Sequence, residues 1–228
     1  MKFGVVIFPG SNCDIDIIYV LENIMKEEVV RLWHKDTELQ DCDFIILPGG
    51  FSYGDYLRSG AIAKFSPIMK EIIGFANAGG YVMGICNGFQ ILCESGLLQG
   101  ALLHNTNHKF ICKNIYLKTI SQNTMLTNNC DNEVLKIPIA HGEGRYFANT
   151  ETVKNLKHND QIIFKYCDKQ GNPSLESNPN GSIENIAGIC NIERNVFGMM
   201  PHPERASDIE LNNTSGIKLF ENILSKYV

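Results

Sequence analysis

Tyr81-Val82-Met83-Gly84-Ile85-Cys86-Asn87-Gly88-Phe89-Gln90 is the stretch that decides how this chain folds. Five residues of mainly apolar character end on a glycine-flanked cysteine, and a helical pattern follows over 89–94. That is a buried strand turning sharply into a helix. The same grammar recurs upstream. Residues 44–47, Phe-Ile-Ile-Leu, stop at Pro48-Gly49-Gly50, and residues 2–8 stop at Pro9-Gly10. Residues 29–32 form a further short strand. Ser11 or Asn12 is placed to cap a helix carrying Ile15, Ile17, Ile18, Leu21 and Ile24. A loop over 49–60 leads into a helix with Ile62, Phe65, Met69, Ile72, Ile73 and Phe75, which Gly79-Gly80 stop. Strands alternating with helices imply right-handed crossovers. The expected class is α/β, an open and mostly parallel sheet with helices on both faces.

The second half is less regular. Residues 113–121 and 133–140 read as extended, with Asn128-Asn129 as turn residues between them. Residues 149–158 suit a short helix and 161–167 a strand. Residues 168–181 are rich in Asn, Pro, Gly and Ser and read as a loop. Residues 186–191 and 196–200 resemble a hairpin. Residues 217–228 form a closing amphipathic helix, with Ile217, Phe220, Ile223, Leu224 and Tyr227 on one side. Small antiparallel strands are thus expected beside the parallel ones. No internal repeat or linker divides the chain, so residues 1–228 are read as one domain.

Composition narrows the class further. The chain has 228 residues, of which 44% are hydrophobic and 20% charged, values that suit one folded core and not a disordered segment. Twenty basic and 25 acidic residues give a net charge of −5, and no basic stripe marks a nucleic-acid binder. No apolar run approaches the roughly 18 residues of a membrane span. The apolar start meets Pro9-Gly10, Asp14 and Asp16 without a cleavage pattern, so it reads as a strand and the protein as cytoplasmic. Eight cysteines lack the C-x-x-C spacing of a zinc or redox pair, and no metal site is expected.

One cysteine stands apart. In Gly84-Ile85-Cys86-Asn87-Gly88 a strand-to-helix turn lifts Cys86 above the carboxyl edge of the sheet, with glycines where a Cβ would clash. The N–H groups that open the following helix favour thiolate over thiol. Cys13 competes, since it too follows a strand and opens a helix, but it lacks the glycine frame. A nucleophilic cysteine needs a base, and the base an orienting acceptor. Met200-Pro201-His202-Pro203-Glu204-Arg205 offers both, because extended geometry around the prolines would aim Glu204 at the His202 ring. His141, with Glu143 at the same spacing, is the rival base. The N–H of Asn87 and the backbone at Gly49-Gly50 could together hold an oxyanion.

Pro48-Gly49-Gly50, the cysteine turn with Phe89-Gln90, and His202-Pro203-Glu204 together resemble the class I, or triad, glutamine amidotransferases. The likeness is narrower still. The run from Pro48 to Gly60, Ile139-Ala140-His141-Gly142-Glu143-Gly144-Arg145-Tyr146, Asn178-Pro179-Asn180-Gly181-Ser182 and Met199 to Arg205 resemble the family of glutaminase subunits of phosphoribosylformylglycinamidine synthase. The resemblance runs from Phe3 nearly to the end and is weakest over 121–135. It implies a flavodoxin-like amidotransferase sheet and catalysis by Cys86, His202 and Glu204, with an oxyanion hole at Gly50 and Asn87. Gln90 and the backbone of His141, Gly142 and Glu143 would grip L-glutamine. No cofactor is implied on this chain. ATP and Mg are expected on a large synthetase partner, with a small accessory subunit completing the complex. The absence of a Walker-type motif agrees with ATP binding elsewhere. The loop 51–58 is expected to meet the synthetase. Asn178–Ser182 has no physical role at this level.

Overall fold

The computed structural model describes residues 1–130 and 133–225. Its first half is the parallel layer that the sequence predicts. Strand β1 (Lys2–Ile7) leads through α1 (Asp14–Tyr19) to β2 (Glu28–Trp33), and β3 (Phe44–Leu47) leads through α2 (Pro67–Asn77) to β4 (Tyr81–Ile85). β1 pairs in parallel with β2 on one side and β3 on the other, and β3 pairs with β4. All four residues of β3 are buried, as are four of the five in β4, which is why these strands read as continuous apolar runs. The two crossovers step away from β1 and β3 in opposite directions. Right-handedness therefore puts α1 and α2 on opposite faces. It also leaves a crevice at the carboxyl ends of the central strands, where open α/β sheets bind ligands.

Beyond β4 come α3 (Asn87–Glu94), β5 (Ala101–Leu103), β6 (Ile111–Thr119), β7 (Val134–His141) and β8 (Arg145–Phe147). Then follow α4 (Thr150–His158), β9 (Ile162–Cys167), β10 (Ile186–Cys190), β11 (Val196–Met199) and α5 (Ile217–Ser225). Among the described residues nine strands join in the order β2-β1-β3-β4-β11-β10-β9-β6-β7. β11 runs parallel to β4, while β10, β9, β6 and β7 extend the sheet antiparallel. The antiparallel strands are therefore not a small annex: β6 and β7 are nine and eight residues long, continuous with the parallel layer. β5 and β8 form a separate two-stranded pair that the sequence pattern misses. Three-residue strands are too short for alternation to register.

Several local expectations need correction. The N-cap of α1 is Cys13, with no side-chain cap bond, because the Ser11 hydroxyl turns back to the Phe8 carbonyl at 2.9 Å. α1 then continues as a π-helical turn over Val20–Ile24, and Ile15 faces solvent. The predicted helix from residue 62 starts only at Pro67. Ser66, with ψ of 141°, is held extended by that proline, so Phe65 lies outside the helix and is exposed. The predicted contribution of Tyr227 to the closing helix lies outside the described residues. No helix among the described residues is long and apolar enough to cross a membrane.

The turn from β4 into α3 leaves no room for side chains. A Cβ at Gly84 would stand 2.6 Å from the carbonyl of Gly88, and a Cβ on Gly88 would overlap the carbonyl oxygen of Leu47. Gly198 of β11 pairs with Gly84, and a Cβ there would enter the ring of Phe89. α3 is thus pressed directly onto β3, β4 and β11. We expect Gly88→Ala to lose about 3 kcal/mol or more of unfolding free energy in urea titration. Gly74→Ala, inside α2 with nothing within 4 Å, should gain about 0.5–1 kcal/mol. A small loss at Gly88 would show that the turn has slack.

Candidate active site

Cys86 sits on this turn with φ 50° and ψ −105°, a conformation that costs a non-glycine residue about 1–3 kcal/mol. The strain is held by the sheet, since the Cys86 N–H donates to the Met199 carbonyl of β11 at 2.8 Å. The side chain is nearly buried, and its Sγ stands 3.8 Å from the Ala140 carbonyl at the end of β7. The first N–H groups of α3 have no acceptor within the helix. They begin at Asn87, next to the sulfur.

β11 delivers the partner. His202 follows Met199 by three residues, and its Nδ1 lies 2.6 Å from the Glu204 carboxylate, both side chains being about 1% exposed. The contact differs from the predicted extended alternation: residues Pro203–Ala206 form a 3-10 turn that folds Glu204 back under the ring. Burial opposes a charged imidazole, yet Glu204, then the thiols of Cys86 and Cys13, outweigh it and hold His202 well above its ordinary range. Nε2 of His202 makes no hydrogen bond among the described residues and remains open to the thiols.

Cys13 comes closer to this dyad than its sequence context suggests. Its Sγ, a His202 nitrogen and a Glu204 oxygen lie within 4.8 Å of one another, a grouping a metal could in principle use. Two features argue for proton chemistry instead. Nδ1 of His202 is committed to Glu204, and Nη2 of Arg205 donates to the Cys13 sulfur at 3.1 Å, setting a fixed positive charge where a cation would have to sit. Arg205 is anchored in turn by Asp16 at 2.9 Å.

In front of Cys86 lies a cleft of about 170 Å³ lined by Gly50, Asp55, Gln90, His141, Gly142 and Glu143, among others. Cys86 is on its wall and Cys13 is not. Gly50, with φ of 131°, turns there, while the adjacent Gly49 lies against His202, where a Cβ would stand 2.7 Å from Cε1. The Asn87 side chain accepts from Ser52 N–H at 3.1 Å and donates to Asp55 at 3.1 Å and Gln90 at 2.8 Å. Gln90 in turn donates to the Glu143 carbonyl at 2.5 Å, so its amide braces the wall. Glu143 carries His104 at 3.3 Å. Burial drives His141 down to about 4, with the nearby His202 adding to the effect, so its ring is neutral.

The structure thus brings together every residue singled out in the sequence: Cys86, His202, Glu204, Gly50, Asn87, Gln90, His141, Gly142 and Glu143. Sequence reasoning missed Asp55, Ser59, His104 and Phe110 on the wall and the proximity of Cys13 to His202. It also left Asn178–Ser182 without a role. Two of its residues are buried and tie it down: Asn180 donates to the Gly144 carbonyl at 2.8 Å and accepts from Ser182, and Ser182 accepts from Tyr146 N–H at 3.0 Å. It clamps the 141–144 turn from behind.

Residues 1–224 match the CobB/CobQ-like glutamine amidotransferase domain family, and the chain belongs to that family. Its relatives are more particular. It is 55% identical over 225 residues to the phosphoribosylformylglycinamidine synthase subunit PurQ of Koribacter versatilis, covering 98% of this chain and 97% of that one. It is 53% identical over 220 residues to the subunit of the same name from Synechocystis, with 96% and 98% covered. Among solved structures, a chain in PurLQS from Thermotoga maritima superposes with a TM-score of 0.88 at 43% identity, covering 100% and 99%.

Asp55 gives a test of this geometry. Burial, with Glu143 adding to it, pushes its carboxyl up to about 6 from an ordinary 3.8, against the bonds from Ser59 and Asn87. The folded chain therefore holds that proton more tightly than the unfolded chain, and this contribution to stability is lost as pH rises from about 4 through 6. Asp55→Asn removes the loss. Its Tm should match wild type near pH 4 and exceed it at pH 7 and above, as read by thermal melts across pH. A difference independent of pH would contradict the burial of a carboxylate here.

Proposed function

We propose that this chain, acting as a single amidotransferase domain over residues 1–228, releases ammonia from the side-chain amide of L-glutamine and passes it to a synthetase partner. The observation that carries the reading is the strained Cys86 turn, which opens on a cleft with the His202–Glu204 dyad beside it. The Cys86 sulfur attacks the amide carbon, and the charge on oxygen is taken by the N–H groups of Asn87 and Gly50. His202 gives its proton to the departing nitrogen, ammonia leaves, and a γ-glutamyl thioester remains on Cys86. Water, deprotonated by His202, then releases glutamate and the thiol. Glu204 orients His202 and favours its charged form. Gln90 and the backbone of His141, Gly142 and Glu143 hold the amino-acid end of the substrate.

The full-length likeness to PurQ subunits supports the destination of the ammonia. It serves conversion of formylglycinamide ribonucleotide to formylglycinamidine ribonucleotide in purine biosynthesis. ATP and Mg act on the large synthetase subunit, a small accessory subunit completes the complex, and the assembly works in the cytoplasm. Free ammonia would protonate in bulk water, so direct transfer preserves the nucleophile. The loop 51–58 suits the contact with the synthetase, since Tyr56 and Leu57 are 70% and 82% exposed beside the cleft. Tyrosine is enriched at interfaces, and Tyr56 stands out on this loop.

Incubation with an electrophilic glutamine mimic, followed by peptide mass mapping, should label Cys86. Cys13→Ala should be labelled as wild type is, and Cys86→Ala not at all. Label on Cys13 would reassign the nucleophile. In the assembled complex, Cys86→Ala should abolish glutamine-dependent synthesis and spare synthesis from ammonia. Glu204→Gln should lower kcat with glutamine by roughly 10²–10⁴-fold.

A further inference from the structure

Behind the cleft wall lies a buried side chain that the reaction above does not use. Asn105, between β5 and β6, is fully buried. Its Nδ2 donates to the carbonyls of His141 at 2.9 Å and Lys109 at 2.8 Å. Its Oδ1 accepts from Gly144 N–H at 3.1 Å and stands 3.1 Å from Nδ1 of His141. Two carbonyls at one end and a backbone N–H at the other decide which end of the amide is which. Turned over, the amide would set oxygen against oxygen twice. An oxygen therefore faces Nδ1, and a neutral imidazole can meet it only with Nδ1 protonated. Nε2 is then a bare lone pair. It is buried, in a residue 3% exposed, and has no hydrogen-bond partner among the described residues. His141 lines the cleft, directly after the Ala140 carbonyl that faces the Cys86 sulfur.

We propose that Asn105 is a positioning residue that locks His141 in its Nδ1–H tautomer, so that Nε2 accepts a hydrogen bond from the carboxamide N–H of bound glutamine. This rests on the reading of the cleft as the glutamine site. The acceptor acts most strongly late in the first step. As the departing nitrogen takes the proton from His202, its N–H groups become better donors, and an acceptor fixed beside them favours that state over the bound substrate. Burial and the nearby His202 keep His141 from taking a proton itself, so the lone pair remains available. Asn180 and Ser182 support the same wall through Gly144, whose backbone lies against the His141 ring.

Two measurements test this. Long-range proton–nitrogen NMR correlation on the full chain, with His141→Gln for assignment, should show a protonated Nδ1 and an unprotonated Nε2 for His141. In Asn105→Ala the balance should move toward Nε2–H. In the complex with the synthetase, glutamine should be compared with its γ-methyl ester, whose leaving group has no N–H. His141→Phe and Asn105→Ala should each lower kcat with glutamine by about tenfold or more relative to kcat with the ester, with little change in the KM for glutamine. An Nε2–H tautomer in the wild-type chain, or equal losses with both substrates, overturns the proposal. If Asn105→Ala does not fold, the wild-type tautomer and the His141→Phe comparison still decide. A wild-type complex that turns over neither substrate would sink the glutamine reading itself and leave the tautomer measurement standing.

Discussion

No side chain fits between the first turn of α3 and the sheet beneath it, and the rest of the site follows from that contact. Gly84, Gly88 and Gly198 let the helix lie directly on β3, β4 and β11. Only then does Cys86 take its positive φ, with its N–H held by β11. The same strand carries the chain on to His202. One close approach therefore sets where Cys86 and His202 stand relative to one another. Strain at a single residue is tolerable because its surroundings over-determine it: the Met199 carbonyl holds the Cys86 N–H, and Gly84 and Gly88 leave the turn no room to relax.

Electrostatics does the remaining work. A fully buried carboxylate and imidazole would each be costly alone. Paired at 2.6 Å they sustain one another, and the spare Nε2 faces two thiols. The two sulfurs are distinguished by surroundings. Cys13 is tied to Arg205 and lies behind the dyad, while Cys86 opens on the cleft. Neutral His141 and charged His202 have opposite assignments, because burial and the nearby His202 keep the first from charging while Glu204 holds the proton on the second.

Much of this was legible in the chain. Continuous apolar runs closed by Pro-Gly gave the parallel strands, and G-x-C-x-G gave the turn. Pro-His-Pro-Glu gave the dyad, although a 3-10 turn and not extended backbone makes the contact. What was not legible depended on distant pairing. Cys13 and His202 are 189 positions apart and meet only once β1 and β11 flank the same crevice. Asp55 lies in a loop whose Tyr53 and Leu57 adopt positive φ, a geometry no periodicity announces. Asn180 looked like turn chemistry because its partners, Gly144 and Ser182, are backbone and hydroxyl groups with no pattern of their own.

The border of the sheet at β7 carries a further consequence. Its outward carbonyls at Lys136 and Pro138 are already taken, by the Asn213 side chain and by the backbone N–H of His202, both at 2.9 Å. Pro138 has no hydrogen to offer a newcomer. A visiting chain cannot dock here by lengthening the ladder without prising His202 from its seat. At this border, then, the bonds that seal the flank are the same ones that hold His202 in place.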